Sequence, residues 1–335
     1  MSKTHYNVDI CIIGAGSGGL SIAAGAAQLG RSVVLYEAEE MGGDCLNYGC
    51  VPSKALIAAG KHAHALTTGP DFGVGKAKPK VNFNTVKAHI QGVIDHIAPV
   101  DSQERFEGLG CTVIRERARF KDNRTVESET TEVRAKRIII ATGSRASAPP
   151  IPGLSDTPYL TNETIFSMEK QPEKLLVIGA GPIGLELGQA FARLGSKVEI
   201  IDIAAPLGRN EPEHAAILVK ALEDEGVVFH TPAQTKLIRK TGTGVAIDLE
   251  DGTVIEGSHL LVAAGRRPVM DGLELEKAGI SYSRRGVDTD DVKPGTPKGG
   301  SGRQSGNTAA GNQNIAIKGH QPATRVRKSQ RSCVW

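Results

Sequence analysis

Apolar positions in this chain fall into short runs that alternate with stretches of small residues, the pattern of buried strands joined by closely packed helices. The pattern is clearest in two segments. Ile13–Glu37 reads IGAGSGGLSIAAGAAQLGRSVVLYE, and Ile178–Asp202 reads IGAGPIGLELGQAFARLGSKVEIID. They align without a gap. Gly14, Gly16 and Gly19 fall on Gly179, Gly181 and Gly184, then Leu29-Gly30 on Leu194-Gly195. Glu37 falls on Asp202, each acid 23 residues after its first glycine. Each copy starts with an apolar run (Ile10–Ile13; Leu175–Ile178), passes through a small-residue helical stretch and ends in a second apolar run. One strand–helix–strand unit is therefore written twice.

The spacing has a chemical reason. The first glycine makes the tight turn, the second lets backbone approach a pyrophosphate, and the third lets the helix pack closely on the strand, with the helix N-terminus facing the phosphates. The acid closing the second strand can accept hydrogen bonds from ribose hydroxyls. A lone G-x-G-x-x-G is weak evidence, but two copies with matching flanks and acids predict two dinucleotide sites. Arg137–Ser144 (RIIIATGS) and Leu260–Arg266 (LLVAAGR) are a second echo. Each puts an apolar strand before a small-residue turn, and each closes one unit, as a chain pass beside a cofactor would. A plain buried strand and turn is the alternative.

Composition narrows the class. The chain has 335 residues, 39% hydrophobic and 23% charged, with a formal net charge of +3. That suits a globular protein of two domains or slightly more and argues against a nucleic-acid surface as the main function. Forty glycines exceed the usual ~7%, and many lie in the two units. The apolar stretch Val8–Leu29 is broken by five glycines, which fits a strand–turn–helix better than a membrane span or a secretory signal. Five cysteines without a leader do not make a structural disulfide framework, and a cytoplasmic location is expected.

Two of those cysteines lie in Gly42-Gly43-Asp44-Cys45-Leu46-Asn47-Tyr48-Gly49-Cys50-Val51-Pro52-Ser53-Lys54. In one regular helix, residues five apart are separated by roughly 7.5 Å of rise, whereas a disulfide needs Cα atoms about 4.4–6.8 Å apart. The pair can close only through a distorted turn, which Gly49 eases. Pro52 fits the first turn of a following helix, expected to run to about Gly60. A cysteine near that helix start has its thiolate stabilised by unpaired N–H groups and the dipole. Inert buried thiols are the competing reading of a C-x₄-C pair. Zinc is disfavoured because no second ligand pair of suitable spacing appears.

The segment GGDCLNYGCVPSK resembles the active-site signature of the class I pyridine nucleotide–disulfide oxidoreductases, a family that includes dihydrolipoamide dehydrogenase, glutathione reductase and mercuric reductase. The likeness spans about residues 6 to 288 and keeps both nucleotide units in family order. It implies an α/β fold of two Rossmann-like, three-layer ββα domains, the second inserted in the first. The expected organisation is 1–150 for FAD with the redox pair, 151–272 for the nicotinamide nucleotide, and 273–288 for a return to the FAD domain. By position, Cys45 is the interchange thiol and Cys50 the thiol against the flavin. Lys54 is a buried ammonium near flavin N5, paired with Glu186. Contacts to FAD are implied for Gly14, Gly16, Ser17, Gly18, Gly19, Glu37, Gly43, Lys54, Thr142, Gly143 and Ser144. Contacts to the nicotinamide nucleotide are implied for Gly179, Gly181, Gly184, Asp202 and Gly265. Asp202 favours NAD over NADP, because a 2′-phosphate beside a carboxylate is repelled; Arg209 is the one nearby base. Asp44 departs from the threonine usual at its position, and the resemblance gives it no role.

The implied activity is FAD-dependent electron transfer between NAD(H) and a small-molecule or protein-bound dithiol or disulfide, of the dihydrolipoamide dehydrogenase type. A mercuric-reductase-like member with another acceptor, or a catalytically incompetent nucleotide-binding product, is the alternative. The last reading arises from Thr289–Trp335, rich in Gly, Lys, Arg, Gln, Ser, Thr, Asn and Pro, with only Ile315–Ile317 as an apolar run. This stretch is expected to be disordered, without strand or helix, and foreign through a frameshift or truncation. The family's flavin-binding Gly-Asp strand, its dimerisation domain and its His–Glu pair are not found there. His320, in GHQPATR, has no glutamate following it. The family is homodimeric, but the usual interface is missing from this sequence. No metal site is expected.

Overall fold

A computed structural model describes residues 2–288 and, beyond them, the backbone of 316–318. The chain begins with β1 (Thr4–Ile13), α1 (Ser17–Gln28) and β2 (Val33–Tyr36). It continues through α2 (Gly43–Asn47), α3 (Cys50–Ala65), α4 (Phe83–Ile97) and α5 (Gln103–Gly108) to β3 (Cys111–Ile114), β4 (Arg119–Phe120), β5 (Thr125–Glu127) and β6 (Thr131–Ile140). The strands form one sheet in the order β3-β2-β1-β6-β5-β4. β3, β2, β1 and β6 are parallel, while β6, β5 and β4 form an antiparallel meander. Sheet residues alternate between two cores. Ile12, Leu35, Val113 and Ile139 meet Leu20, Ala23 and Phe106 on the α1 and α5 side. Ile13, Tyr36, Ile138 and Ile140 meet Phe120, Val126 and Leu273 on the other.

β7 (Ser144–Ala146) leads to a second sheet built from β8 (Lys174–Ile178), α6 (Pro182–Arg193), β9 (Lys197–Ile201), α7 (Pro212–Asp224) and β10 (Val228–His230). It is completed after β11 (Thr235–Lys240), β12 (Val245–Leu249) and β13 (Val254–Gly257) by β14 (His259–Val262), in the parallel order β10-β9-β8-β14. The antiparallel β11–β13 sheet covers one face. The opposite face packs against α6, α3 and α4: Ala55, Leu56, Ala63 and Ile90 share a core with Leu187, Ala190 and Phe191. A Cβ on Gly60 would lie 3.2 Å from the Ala190 carbonyl oxygen, so the α3–α6 contact needs a small residue there. The chain returns through β15 (Arg266–Pro268), antiparallel to β7, and Phe120 N–H donates to Leu273 O (2.8 Å) on the first unit. A short β16–β17 hairpin (Tyr282–Ser283; Gly286–Val287) follows.

Three expectations change. β1 begins at Thr4 rather than Ile10, because the polar-alternating residues 4–8 find partners along Thr131–Ala135 of β6. α3 runs to Ala65, five residues past Gly60, because Ala63 gains burial in the inter-unit core. Within Thr289–Trp335, β18 (Ala316–Lys318) is an antiparallel strand on β6, although no strand was expected there. The pairing supplies backbone partners to an otherwise free flank of β6. His320 and Cys333 lie outside the described residues.

Candidate active site

The two glycine loops are built alike. Gly14 (φ +108°) and Gly179 (φ +112°) take a backbone conformation that a side chain would strain. A Cβ there would lie 2.4 Å from Ala141 O and 2.5 Å from Ala263 O respectively. On Gly19 or Gly184 it would lie 1.9 or 2.0 Å from the carbonyl oxygen of the first glycine in its own loop. The acids are fixed alike too. Glu37 accepts from Ala15 N–H (2.6 Å) and Glu39 N–H (2.7 Å), and Asp202 from Ala180 N–H (2.7 Å) and Ala204 N–H (2.9 Å). Each carboxylate is thus oriented at the mouth of its loop, and unused lone pairs remain for a ligand.

A cavity of about 510 Å³ opens at the first loop. Gly14, Gly16, Ser17, Glu37, Gly43, Cys45, Cys50, Thr142, Gly143 and Ser144 all line it. Its floor is glycine against glycine, since a Cβ on Gly43 would lie 2.8 Å from Gly16 Cα. That cradle suits a flat, anionic dinucleotide: its size is in the range of ligand pockets, and the N-terminus of α1 faces it. At the second loop a Cβ on Gly181 meets nothing within 4 Å. That leaves room for backbone approach by a ligand.

The cysteine pair sits where two helices break. Cys45 lies within α2, Gly49 (φ −119°, ψ −111°) separates the helices, and Cys50 is the first residue of α3. A Cβ on Gly49 would lie 2.9 Å from Asp44 O, which is why glycine makes this turn. Both cysteines are free thiols in the structure. Their side chains interact. Burial first, then the hydrogen bond and charge of Cys50, push the Cys45 thiol up to about 12. Cys45 lies on α2, before the Gly49 break, so the N-terminus of α3 belongs to Cys50. Cys11 and Cys111 are buried, and burial raises both.

Lys54 Nζ donates to Glu186 Oε2 at 2.7 Å, joining α3 to α6. The ammonium is not buried: 61% of the Lys54 side chain is exposed, and it stands outside the cavity wall one turn along α3. Gly18 and Gly19 lie in the first turn of α1, behind the loop. Gly265 also stands off the cavity, accepting Ser147 N–H (3.0 Å). Its neighbour Arg266 does reach it. Arg266 Nε and Nη2 donate to Ser144 Oγ (2.9 Å) and Ser144 O (2.6 Å), and Nη2 lies 3.1 Å from Asp44 Oδ1. Asn162 Nδ2 also donates to Asp44 Oδ1 (3.3 Å) and Tyr48 O (3.4 Å).

The pyridine nucleotide-disulphide oxidoreductase family model matches residues 8–293. The chain belongs to that family. It is 36% identical over 295 residues to a mercuric reductase of Streptomyces lividans, covering 85% of this chain and 62% of the relative. It is 38% identical over 286 residues to a dihydrolipoyl dehydrogenase of Thermus scotoductus (83% and 61%). Among solved structures it resembles the HOCl-induced flavoprotein disulfide reductase RclA of Escherichia coli, with a TM-score of 0.72 at 27% identity over 83% of this chain and 61% of that one. The chain thus spans about three fifths of the length of these relatives. Among the described residues no helix is long and apolar enough to cross a membrane.

Several cavity residues carried no sequence signal. Glu39 and Arg117 reach the wall from the segments after β2 and β3, Arg145 from β7, Glu163 from the stretch between β7 and β8, and Arg266 from the start of β15. Glu39 pairs with Arg117 (3.6 Å) and with Arg145 across the rim. The Arg266 position could have been marked by its place right after the second small-residue turn, the echo of Ser144.

Proposed function

We propose that the chain passes electrons between NAD(H) and a dithiol or disulfide substrate, with FAD at the first glycine loop and the Cys45–Cys50 pair as the exchanging group. The observation that carries this reading is the sharing of one cavity by the glycine cradle, the Glu37 carboxylate and both thiols. In this reading residues 1–150 form the FAD unit, 151–272 the nicotinamide unit, and 273–288 return to the first.

FAD, when bound, supplies a two-electron relay between the nicotinamide and the thiol pair. Gly14, Gly16, Ser17, Gly43 and Thr142–Ser144 would hold it along the cradle, with Glu37 on its ribose. The family resemblance would assign Lys54, held by Glu186, to the flavin ring; in this structure its ammonium stands outside the cavity wall. At the thiols the chemistry belongs to the chain. Cys45 as thiolate attacks one sulfur of a substrate disulfide and breaks that S–S bond, and the departing thiolate takes a proton. Cys50 then attacks Cys45 Sγ and frees the second thiol. Two electrons have passed to the substrate, and the pair is left as a disulfide. A dithiol substrate runs the sequence backwards.

NAD is favoured over NADP. Asp202 keeps its carboxylate at the loop mouth, and the following Ile203, Ala204 and Ala205 are exposed and offer no cation to a 2′-phosphate. The partner would be a small-molecule or protein-bound dithiol, and assembly as a dimer is the habit of the family.

The test is the visible spectrum of the purified full chain before and after about one equivalent of dithiol. A bound flavin with a new long-wavelength thiolate-to-flavin band, kept by Cys45→Ser and lost in Cys50→Ser, is expected. A colourless chain that takes up no FAD on incubation overturns the reading.

A further inference from the structure

We propose that Asp44 and Arg266 form an opposed charge pair that sets the reduction potential of the Cys45–Cys50 dithiol, with Asp44 as a positioning residue. This rests on the reading above that the pair is redox-active.

Asp44 immediately precedes Cys45 on α2, and Asp44, Cys45, Cys50 and Arg266 line one cavity. The guanidinium of Arg266 is sparingly exposed, at 14% of its side chain. Its fork is committed to Ser144 and Asp44, leaving little water to screen its charge. Asp44 is also held by Asn162, which is buried. Both residues that grip Asp44 come from the stretches crossing between the units: Asn162 on the way out to β8, Arg266 on the way back from β14. The carboxylate next to the interchange thiol is therefore locked to the second unit, and it offsets the Arg266 cation, which lines the same cavity as the thiols.

The direction comes from the couple itself. The dithiol can carry a thiolate, whereas the disulfide carries no charge. A nearby unbalanced charge therefore acts on the reduced form alone. An uncancelled cation stabilises the thiolate and raises the potential; an uncancelled carboxylate lowers it. With both present the two effects offset each other.

The experiment equilibrates the full chain in dithiothreitol redox buffers. After alkylation, the peptide containing both cysteines is weighed to give the disulfide fraction. Asp44→Asn should raise the potential and Arg266→Gln should lower it. Each shift should be about tenfold in the exchange equilibrium, about 30 mV for two electrons. The double variant should return near the unchanged chain. General damage to the loop would move both single variants the same way. Should Arg266→Gln fail to fold, Asp44→Asn is compared with Asp44→Glu, and only the former should raise the potential. Shifts of the same sign, or none above threefold, overturn the proposal while leaving the redox reading intact. An unchanged chain that forms no Cys45–Cys50 disulfide in any buffer sinks both.

Discussion

In the first unit the chain after Glu37 turns back at Gly42, whose N–H donates to Ala15 O (2.9 Å) at φ +83°. In the second unit the chain after Asp202 turns back at Leu207, whose N–H donates to Ala180 O (3.0 Å) at φ +52°. Both turns fall five residues after the acid, so the repeat runs further than the matched residues suggest. Beyond these turns the two units diverge. At Gly42 a Cβ would lie 2.4 Å from Leu46 Cδ2, because α2 folds back over the loop and brings Cys45 with it. At Leu207 no such helix returns. The leucine is half-buried against the α3–α6 core, and Gly208 and Arg209 face solvent. A leucine in the left-handed region costs roughly 1 kcal/mol, offset here by that packing and the hydrogen bond. The backbone of the nucleotide loop is thus one design. A loop with thiols differs from a loop without them in the segment placed after its second turn.

The likeness of the two loops is tested most severely at their shared glycines. Gly19→Ala and Gly184→Ala each force a methyl onto a backbone carbonyl that cannot move without opening the loop. Each should destabilise the chain by about 3 kcal/mol, measured by urea unfolding. Losses under about 1 kcal/mol at either site would show that the loops are looser than described. Changing the acids probes the functional division. Glu37→Ala removes the acceptor of two loop N–H groups and should weaken FAD binding roughly tenfold or more, leaving NAD titration unchanged; Asp202→Ala should do the reverse. Calorimetric titration of both nucleotides against both variants decides, and equal loss of both ligands in either variant would refute separate sites.

The smallest effect is at the thiols. Cys45 is held protonated well above its ordinary range partly by Cys50. Removing that neighbour in Cys50→Ala takes away a hydrogen bond and a like charge that both raise it, so the Cys45 pKa should fall. Alkylation of Cys45 at a fixed pH below 12 should then quicken several-fold, with its pH profile displaced toward neutral. In the folded chain the raised thiol keeps its proton after the unfolded one has lost it. The stability it contributes is present below about 9 and is lost as pH rises toward about 12. An unchanged profile in Cys50→Ala would mean that burial alone holds the thiol up.

Much of this was legible in residue order. The two glycine loops, their acids and the strands around them are local patterns, since a glycine forced by its own loop's carbonyl marks itself at fixed spacing. The break between Cys45 and Cys50 was legible for the same reason, as five residues cannot close on one helix. The Lys54–Glu186 contact joins residues far apart in the chain, and only a resemblance pointed to it. Its exposure was not legible at all, because that depends on how α3 and α6 pack.

Residue order was enough for the duplicated loop, the identity and spacing of the thiols, and the acids at each mouth, because each rests on contacts within one strand–turn–helix. Folding in three dimensions was needed for the partners of Asp44, the reach of Arg266 and Asn162 to it, the charged rim of Glu39, Arg117 and Arg145, and the raised proton affinity of Cys45. Those features depend on burial and on side chains brought together from separate units. No local pattern encodes the distance between them.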